Sequence, residues 1–155
     1  MTDGVTVRRA RAADAGGVAA LYATLVDNPA LDVMPARLDE IAADPNTALF
    51  VLEEDRQLLG TVLVSLCADV MFGRRPFAVV ENIVVAPQAR GRGLGERLLR
   101  AVERFCIDAR CSKIMLLSAA GRERAHAFFE RCGYAGSAKR GFVKYSRAFE
   151  QDPLP

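Results

Sequence analysis

Apolar positions along the chain recur with two periods, and the switches between them mark out its elements. From Val5 to Arg9 apolar and polar residues alternate, which predicts a short strand. Asp14 to Val26 (DAGGVAALYATLV) has helical spacing, weakened by Gly16 and Gly17. Ala36 to Ala43 predicts a second helix. It must stop before Asp44-Pro45, because a residue preceding proline is pushed out of helical geometry. Ala48–Glu53 and Gly60–Ala68 read as strands joined by a hairpin turn at Asp55-Arg56-Gln57. Asp69 to Pro76 is a loop, and Phe77 to Val85 is the longest strand candidate.

The second half continues the alternation of strand and helix. Gly93 to Cys106 places Leu94, Leu98, Ala101, Val102 and Phe105 on one helical face, with Glu96 and Arg100 paired one turn apart. Lys113–Leu117 is a strand candidate. Arg122–Cys132 is a helix with Ala125, Phe128, Phe129 and Cys132 on one face, and Gly133 is placed to cap it in the left-handed conformation. Phe142–Ser146 predicts a last strand, and the residues from 149 to the end form a loose tail. This order implies an α/β fold with a mixed, mostly antiparallel central sheet flanked by helices. The connection through the Gly93 helix demands a parallel crossover. The 155 residues suit one domain, with residues 3–148 as its ordered core.

Composition changes this picture little. Hydrophobic residues make up 51% and charged residues 26%, as in a soluble globular protein with a real core. A net charge of +2 is too small to argue for nucleic acid as a partner. The four cysteines form no CxxC pair and His126 is the only histidine, so neither a zinc site nor a disulfide framework is expected. Buried thiols in a reducing compartment are the simpler reading. The N-terminus has no apolar run of the signal-peptide kind, and no stretch approaches the roughly 18 apolar residues of a membrane span. A cytoplasmic protein with no membrane partner is expected.

One stretch carries chemistry. Between the Phe77 strand and the Gly93 helix the chain reads VVAPQARGRGLG, with Gly91, Gly93 and Gly95 interleaved with Arg90 and Arg92. A helix start presents free N–H groups and a partial positive charge, and glycines let a ligand approach them. The arginines add full charges. The stretch therefore suits a phosphate or pyrophosphate. It is neither a P-loop, since GxxxxGK[ST] is absent, nor the dinucleotide fingerprint, since its spacing is GxGxG. The plain alternative is an Arg/Gly turn without a ligand.

Arg90-Gly91-Arg92-Gly93-Leu94-Gly95 resembles the [RQ]xxGx[GA] signature of the GNAT superfamily of N-acetyltransferases, and AHAFFERCGY resembles that family's AxxFYxxxGF helix. The resemblance runs from about Val5 to Ser146. It implies a splayed pair of parallel strands and acetyl-CoA, or another acyl-CoA, as donor, with no metal. The backbone of Gly91, Gly93, Leu94 and Gly95 would hold the pyrophosphate, with Arg90 and Arg92 nearby. Ile83, Val84 and Val85 would pair with the pantetheine arm as an added strand does, and Phe128 would lie beside the cofactor. A homodimer is compatible with the resemblance.

Acetylating an amine requires loss of a proton from the ammonium, stabilisation of an oxyanion and departure of a thiolate. Glu81, a carboxylate among Val79, Val80, Ile83 and Val84, is the candidate base. An apolar setting would raise its pKa toward a useful value, although a salt bridge with Arg74 or Arg75 would be its structural role. A backbone N–H near Val84 is the implied oxyanion donor. The family's acidic tyrosine is replaced by Phe129, and Arg122 stands where many members carry asparagine. Tyr134 is the candidate acid, with Ser118 and Cys132 as substitutes, while His126 reads as a surface or cofactor-side residue. Tyr22, Phe72, Arg74 and Arg75 are candidates for binding the acceptor, a small-molecule or protein amine. The main reading is an acetyl-CoA-dependent N-acetyltransferase working by direct attack in a ternary complex. A non-catalytic acyl-CoA-binding module and an unrelated nucleotide binder are the alternatives.

Overall fold

The computed structural model describes residues 4–151 and Leu154. They divide into two compact units, one up to Leu116 and one from Leu117 onward. In the first, a five-stranded sheet runs in the order β1 (Thr6–Arg9), β2 (Thr47–Glu54), β3 (Gln57–Cys67), β4 (Phe77–Val85), β5 (Ile114–Leu116). All neighbours are antiparallel except β4 and β5. The helices of this unit are α1 (Ala15–Leu25), α2 (Pro35–Ala43) and α3 (Leu94–Asp108).

The period-2 pattern of β2 explains the layering. Ala48 and Leu52 point into a cluster built with Leu94, Leu98 and Val102 of α3. Leu49 and Val51 point the other way, against Val18 of α1 and Leu38 of α2. Both faces of the sheet are thus covered, α3 on one and α1 with α2 on the other. Gly60 permits the close seating of α3, since a Cβ there would lie 3.0 Å from Leu98 Cδ1 and 3.1 Å from the Val84 carbonyl. The expected hairpin turn is made by two residues, Asp55 (φ 48°) and Arg56 (φ 66°), so its backbone twist matches the strands it joins.

The second unit contains α4 (Glu123–Arg131) and α5 (Ser146–Gln151). Gly133, at φ 91°, terminates α4 as the sequence predicts. The expected strand at Phe142–Ser146 does not form. Residues 142–145 have no regular structure and Ser146 begins α5, which extends over the first residues of the expected loose tail. Alternation makes a strand only where a partner edge offers hydrogen bonds, and this unit contains no other strand among its described residues. Positions 152, 153 and 155 of the tail lie outside the described residues. Among the described residues no helix is long and apolar enough to cross a membrane.

Candidate functional site

β4 and β5 pair only from Ala78↔Ile114 to Val80↔Leu116, and β4 then runs on to Val85. From Glu81 onward β4 has strand β3 on one side and, among the described residues, no strand on the other. In the same stretch its register against β3 jumps: Thr61 opposes Val84 but Leu63 opposes Glu81, so two residues of β4, Asn82 and Ile83, stand opposite Val62. Asn82 takes φ 54°, a conformation asparagine tolerates better than the β-branched residues around it. This bulge re-aims the side chains of the segment. Sequence reasoning missed Asn82; its signal was one asparagine within a run of valines and isoleucine.

After β4 a short 3-10 turn, Pro87–Ala89, leads into the glycines. Ala89 and Leu94 are buried on either side, while Gly91, Arg92 and Gly93 between them are exposed. Gly91 (φ 80°) and Gly93 (φ 74°) are both left-handed, and a Cβ on either would meet nothing within 4 Å. Glycine is therefore required by backbone conformation, and the space beside it stays open. Gly93 is the N-cap of α3, whose first N–H groups have no intrahelical acceptor. A phosphate fits this cradle, with Leu94 and Gly95 opening the helix behind it. The arginines differ. Arg90 Nε donates to the Val85 carbonyl at 3.3 Å, and Arg92 forms a two-pronged ion pair with Glu54. The Val84 side chain is buried in the core, so only its backbone can meet a ligand, while Ile83 and Val85 are half-buried.

Glu81 is exposed, and the apolar surroundings expected of it do not form. Beside it, Asn82 and Tyr22 line a cavity of about 270 Å³ with Leu25, Leu31, Asp32 and Val33. Burial raises the pKa of the Tyr22 phenol, and the neighbouring Asn82 side chain offsets part of that rise. Tyr22 is thus the one predicted acceptor residue that lines this cavity. Phe72 and Arg74 sit on the exposed β3–β4 loop, and the Arg75 guanidinium is bonded to the carbonyls of Arg110 (3.0 Å) and Cys111 (3.4 Å). A larger hollow of about 770 Å³ surrounds Arg8, Asp14 and Glu53, but the charges of these three are spent on one another and the glycine turn is not part of it.

In the second unit, the Tyr134 ring packs edge-on against Phe129 at 6.2 Å, and Phe129 lies 5.3 Å from Phe128. His126 shares a 2.9 Å hydrogen bond with the Ala119 carbonyl, which makes it a brace within this unit. Ser118 Oγ is buried and has no hydrogen-bond partner among the described residues.

A sequence model of the acetyltransferase (GNAT) family matches residues 18–134. The chain is 33% identical over 132 residues to an aminoglycoside N(6')-acetyltransferase type 1 of Stenotrophomonas maltophilia, covering 83% of this chain and 85% of that protein. Among solved structures, a putative acetyltransferase of Agrobacterium tumefaciens superposes with a TM-score of 0.78 at 28% identity, over 90% of this chain and 99% of that one. A glucosamine-6-phosphate N-acetyltransferase of Arabidopsis thaliana gives 0.80 at 20% identity, over 92% and 98%. That last likeness concerns the fold alone.

Proposed function

The chain belongs to the GNAT family of acetyltransferases, and on that premise we propose that it transfers the acetyl group of acetyl-CoA to a primary amine of a small molecule, by direct attack within a ternary complex. The observation that carries this reading is the pair of left-handed, open-sided glycines, Gly91 and Gly93, at the start of α3, directly after a strand that has parted from its parallel neighbour. Acetyl-CoA supplies the activated acyl group. The N–H groups of Gly91, Gly93, Leu94 and Gly95 hold its pyrophosphate. The open edge of Ile83, Val84 and Val85 receives the pantetheine arm as an added strand. A backbone N–H near Val84 faces the developing oxyanion.

The amine enters by the cavity between Tyr22 and Asn82, where Asp32 supplies a counter-charge for an ammonium. Exposed Glu81, next to Asn82, takes the ammonium proton through water. Tyr134 is the proton donor to the departing thiolate on chemical grounds, and a thiolate also leaves without one. The family match crosses the boundary at Leu116, which supports treating both units as one acyltransferase domain.

The test is release of CoA thiol from acetyl-CoA over a panel of amines. It begins with aminoglycosides, the class in the name of the Stenotrophomonas relative, and with simple amino sugars. Turnover should require an amine and saturate. Glu81→Gln should lower kcat by at least ~100-fold while leaving acetyl-CoA binding intact. Tight acetyl-CoA binding with no turnover on any amine, and no effect of Glu81→Gln, would favour a binding module instead.

A further inference from the structure

Two helices of this chain end in the same hydrogen-bonded knot. At the end of α4, Gly133 N–H donates to the Glu130 carbonyl and Tyr134 N–H to the Phe129 carbonyl, both at 3.0 Å, with Gly133 left-handed. At the end of α3, Arg110 N–H donates to the Ile107 carbonyl at 3.0 Å and Cys111 N–H to the Cys106 carbonyl at 2.9 Å, with Arg110 left-handed at φ 60°. This arrangement brings the residue two beyond the cap against a residue in the last turn, and that pair is commonly apolar. In α4 the pair is Phe129 with Tyr134, ring on ring. In α3 the two positions are Cys106 and Cys111.

The motif thus places two thiols side by side. Cys106 belongs to the buried core cluster and Cys111 packs against that same cluster. Cys106 is buried and Cys111 half-exposed, so one member of the pair meets solvent and the other is held behind it. The knot is braced from outside, since the Arg75 guanidinium bonds the carbonyls of Arg110 and Cys111 and sets a positive charge beside Cys111. Arg110 occupies a backbone conformation that disfavours a side chain, and these contacts help hold it there. The carbonyl bonds also account for Arg75 without an acceptor.

We propose that Cys106 and Cys111 form a dithiol modification site that closes to an intramolecular disulfide on oxidation by hydrogen peroxide. The Cys111 thiolate sulfur attacks one peroxide oxygen and the O–O bond breaks. This leaves a sulfenic acid on Cys111 and a hydroxide, which takes up the proton Cys111 had lost. The Cys106 sulfur then attacks the Cys111 sulfur. The S–O bond breaks, and hydroxide departs with the Cys106 proton as water. Two thiols lose two electrons and two protons, and one peroxide becomes two waters. Cys111 acts first because it is the solvent-accessible thiol of the two and lies beside the Arg75 guanidinium. Cys106 resolves the sulfenic acid because the knot already holds it in contact.

The chain itself supplies a clean readout. Trypsin cuts after Arg110, so the proposed bond would join the peptide Phe105–Arg110 to Cys111–Lys113. The reduced, folded full-length protein would be treated with hydrogen peroxide, alkylated and digested, beside a sample oxidised in urea. The linked peptide pair should dominate in the folded sample and give way to mixed pairings in urea. It should persist in Cys67→Ser, the control for the third thiol near Cys111, and vanish in Cys111→Ser with Cys106 still alkylatable. A Cys67–Cys111 link in its place, Cys111 ending as an unresolved sulfenic acid, or equal yields folded and in urea would each overturn the proposal.

Discussion

Arg92, set between two glycines of the turn before α3, grips the carboxylate of Glu54 with both terminal guanidinium nitrogens, at 2.7 and 3.1 Å. Glu54 closes β2 immediately before the hairpin turn, 38 residues away in sequence. The pair ties the glycine turn to the hairpin and sets a negative charge beside the proposed phosphate cradle. Both side chains are partly exposed, so the pair is worth about 1 kcal/mol or less. Glu54→Gln should therefore strengthen acetyl-CoA binding by up to roughly fivefold at low salt, with the gain fading as salt is added. Titration calorimetry at two ionic strengths measures this. Weaker binding in the variant would mean that Glu54 shapes the turn more than its charge opposes the ligand.

Gly93 separates a backbone effect from a ligand effect. Its left-handed φ penalises any side chain by about 1–2 kcal/mol, yet no atom lies within 4 Å of a Cβ there. Gly93→Ala should lower the unfolding midpoint modestly and abolish most of the stabilisation by acetyl-CoA, which for a ligand at 100 times its Kd is about 2.7 kcal/mol. Gly16→Ala is the counterpart. Gly16 sits in α1 with open space and no left-handed φ, so the change should stabilise by about 0.5–1 kcal/mol and leave the ligand response intact. An undiminished acetyl-CoA shift in Gly93→Ala would remove the cradle from the proposed site.

Acid stability should depend on Asp14. Its buried carboxylate accepts two hydrogen bonds from Arg8, at 2.8 and 2.9 Å, and one from Arg11 N–H at 2.8 Å. The Arg8 bond is the main reason its pKa is lowered, against the opposing effect of burial. A carboxyl lowered in the fold adds stability that is complete above its unfolded pKa of about 4 and lost as pH falls through the folded value. Asp14→Asn should cost about 2 kcal/mol near neutrality and flatten the decline of stability below about pH 5. Urea unfolding across that range measures both, and an unchanged acid slope would show that other carboxyls govern it.

How much of this was legible beforehand follows from the range of each interaction. The two-faced alternation of β2, the apolar stripe of α3, the glycine turn and the Gly133 cap are local patterns, and the sequence displays them directly. Tyr22 with Asn82 and Arg92 with Glu54 join elements far apart in the chain, which no local spacing announces. The bulge was hidden because β4 is apolar on both faces, so no alternation was there to be broken. The knot at the end of α3 was hidden because arginine fills the place where glycine marks the end of α4. The apolar setting inferred for Glu81 came from its neighbours in sequence, whereas the structure leaves its side chain exposed.

Alkaline stability tests the Tyr22–Asn82 contact. The Tyr22 phenol has a raised pKa because burial disfavours its charged form, and the neighbouring Asn82 amide offsets part of that. A group raised in the fold adds stability that is complete below its unfolded pKa, about 10 for tyrosine, and lost as pH rises through the folded value. Tyr22→Phe should therefore flatten the fall of stability above about pH 10. Asn82→Gly keeps the left-handed backbone but removes the amide, so it should steepen that fall. Cys106, pushed up to about 12 by burial, adds an alkaline slope of its own. That slope is common to all three proteins and cancels in the comparison. Unfolding free energies at neutral and alkaline pH decide the matter. If Asn82→Gly and the parent chain decline together while only Tyr22→Phe differs, the phenol is buried but the amide does not serve it, and Asn82 is left as a backbone device alone.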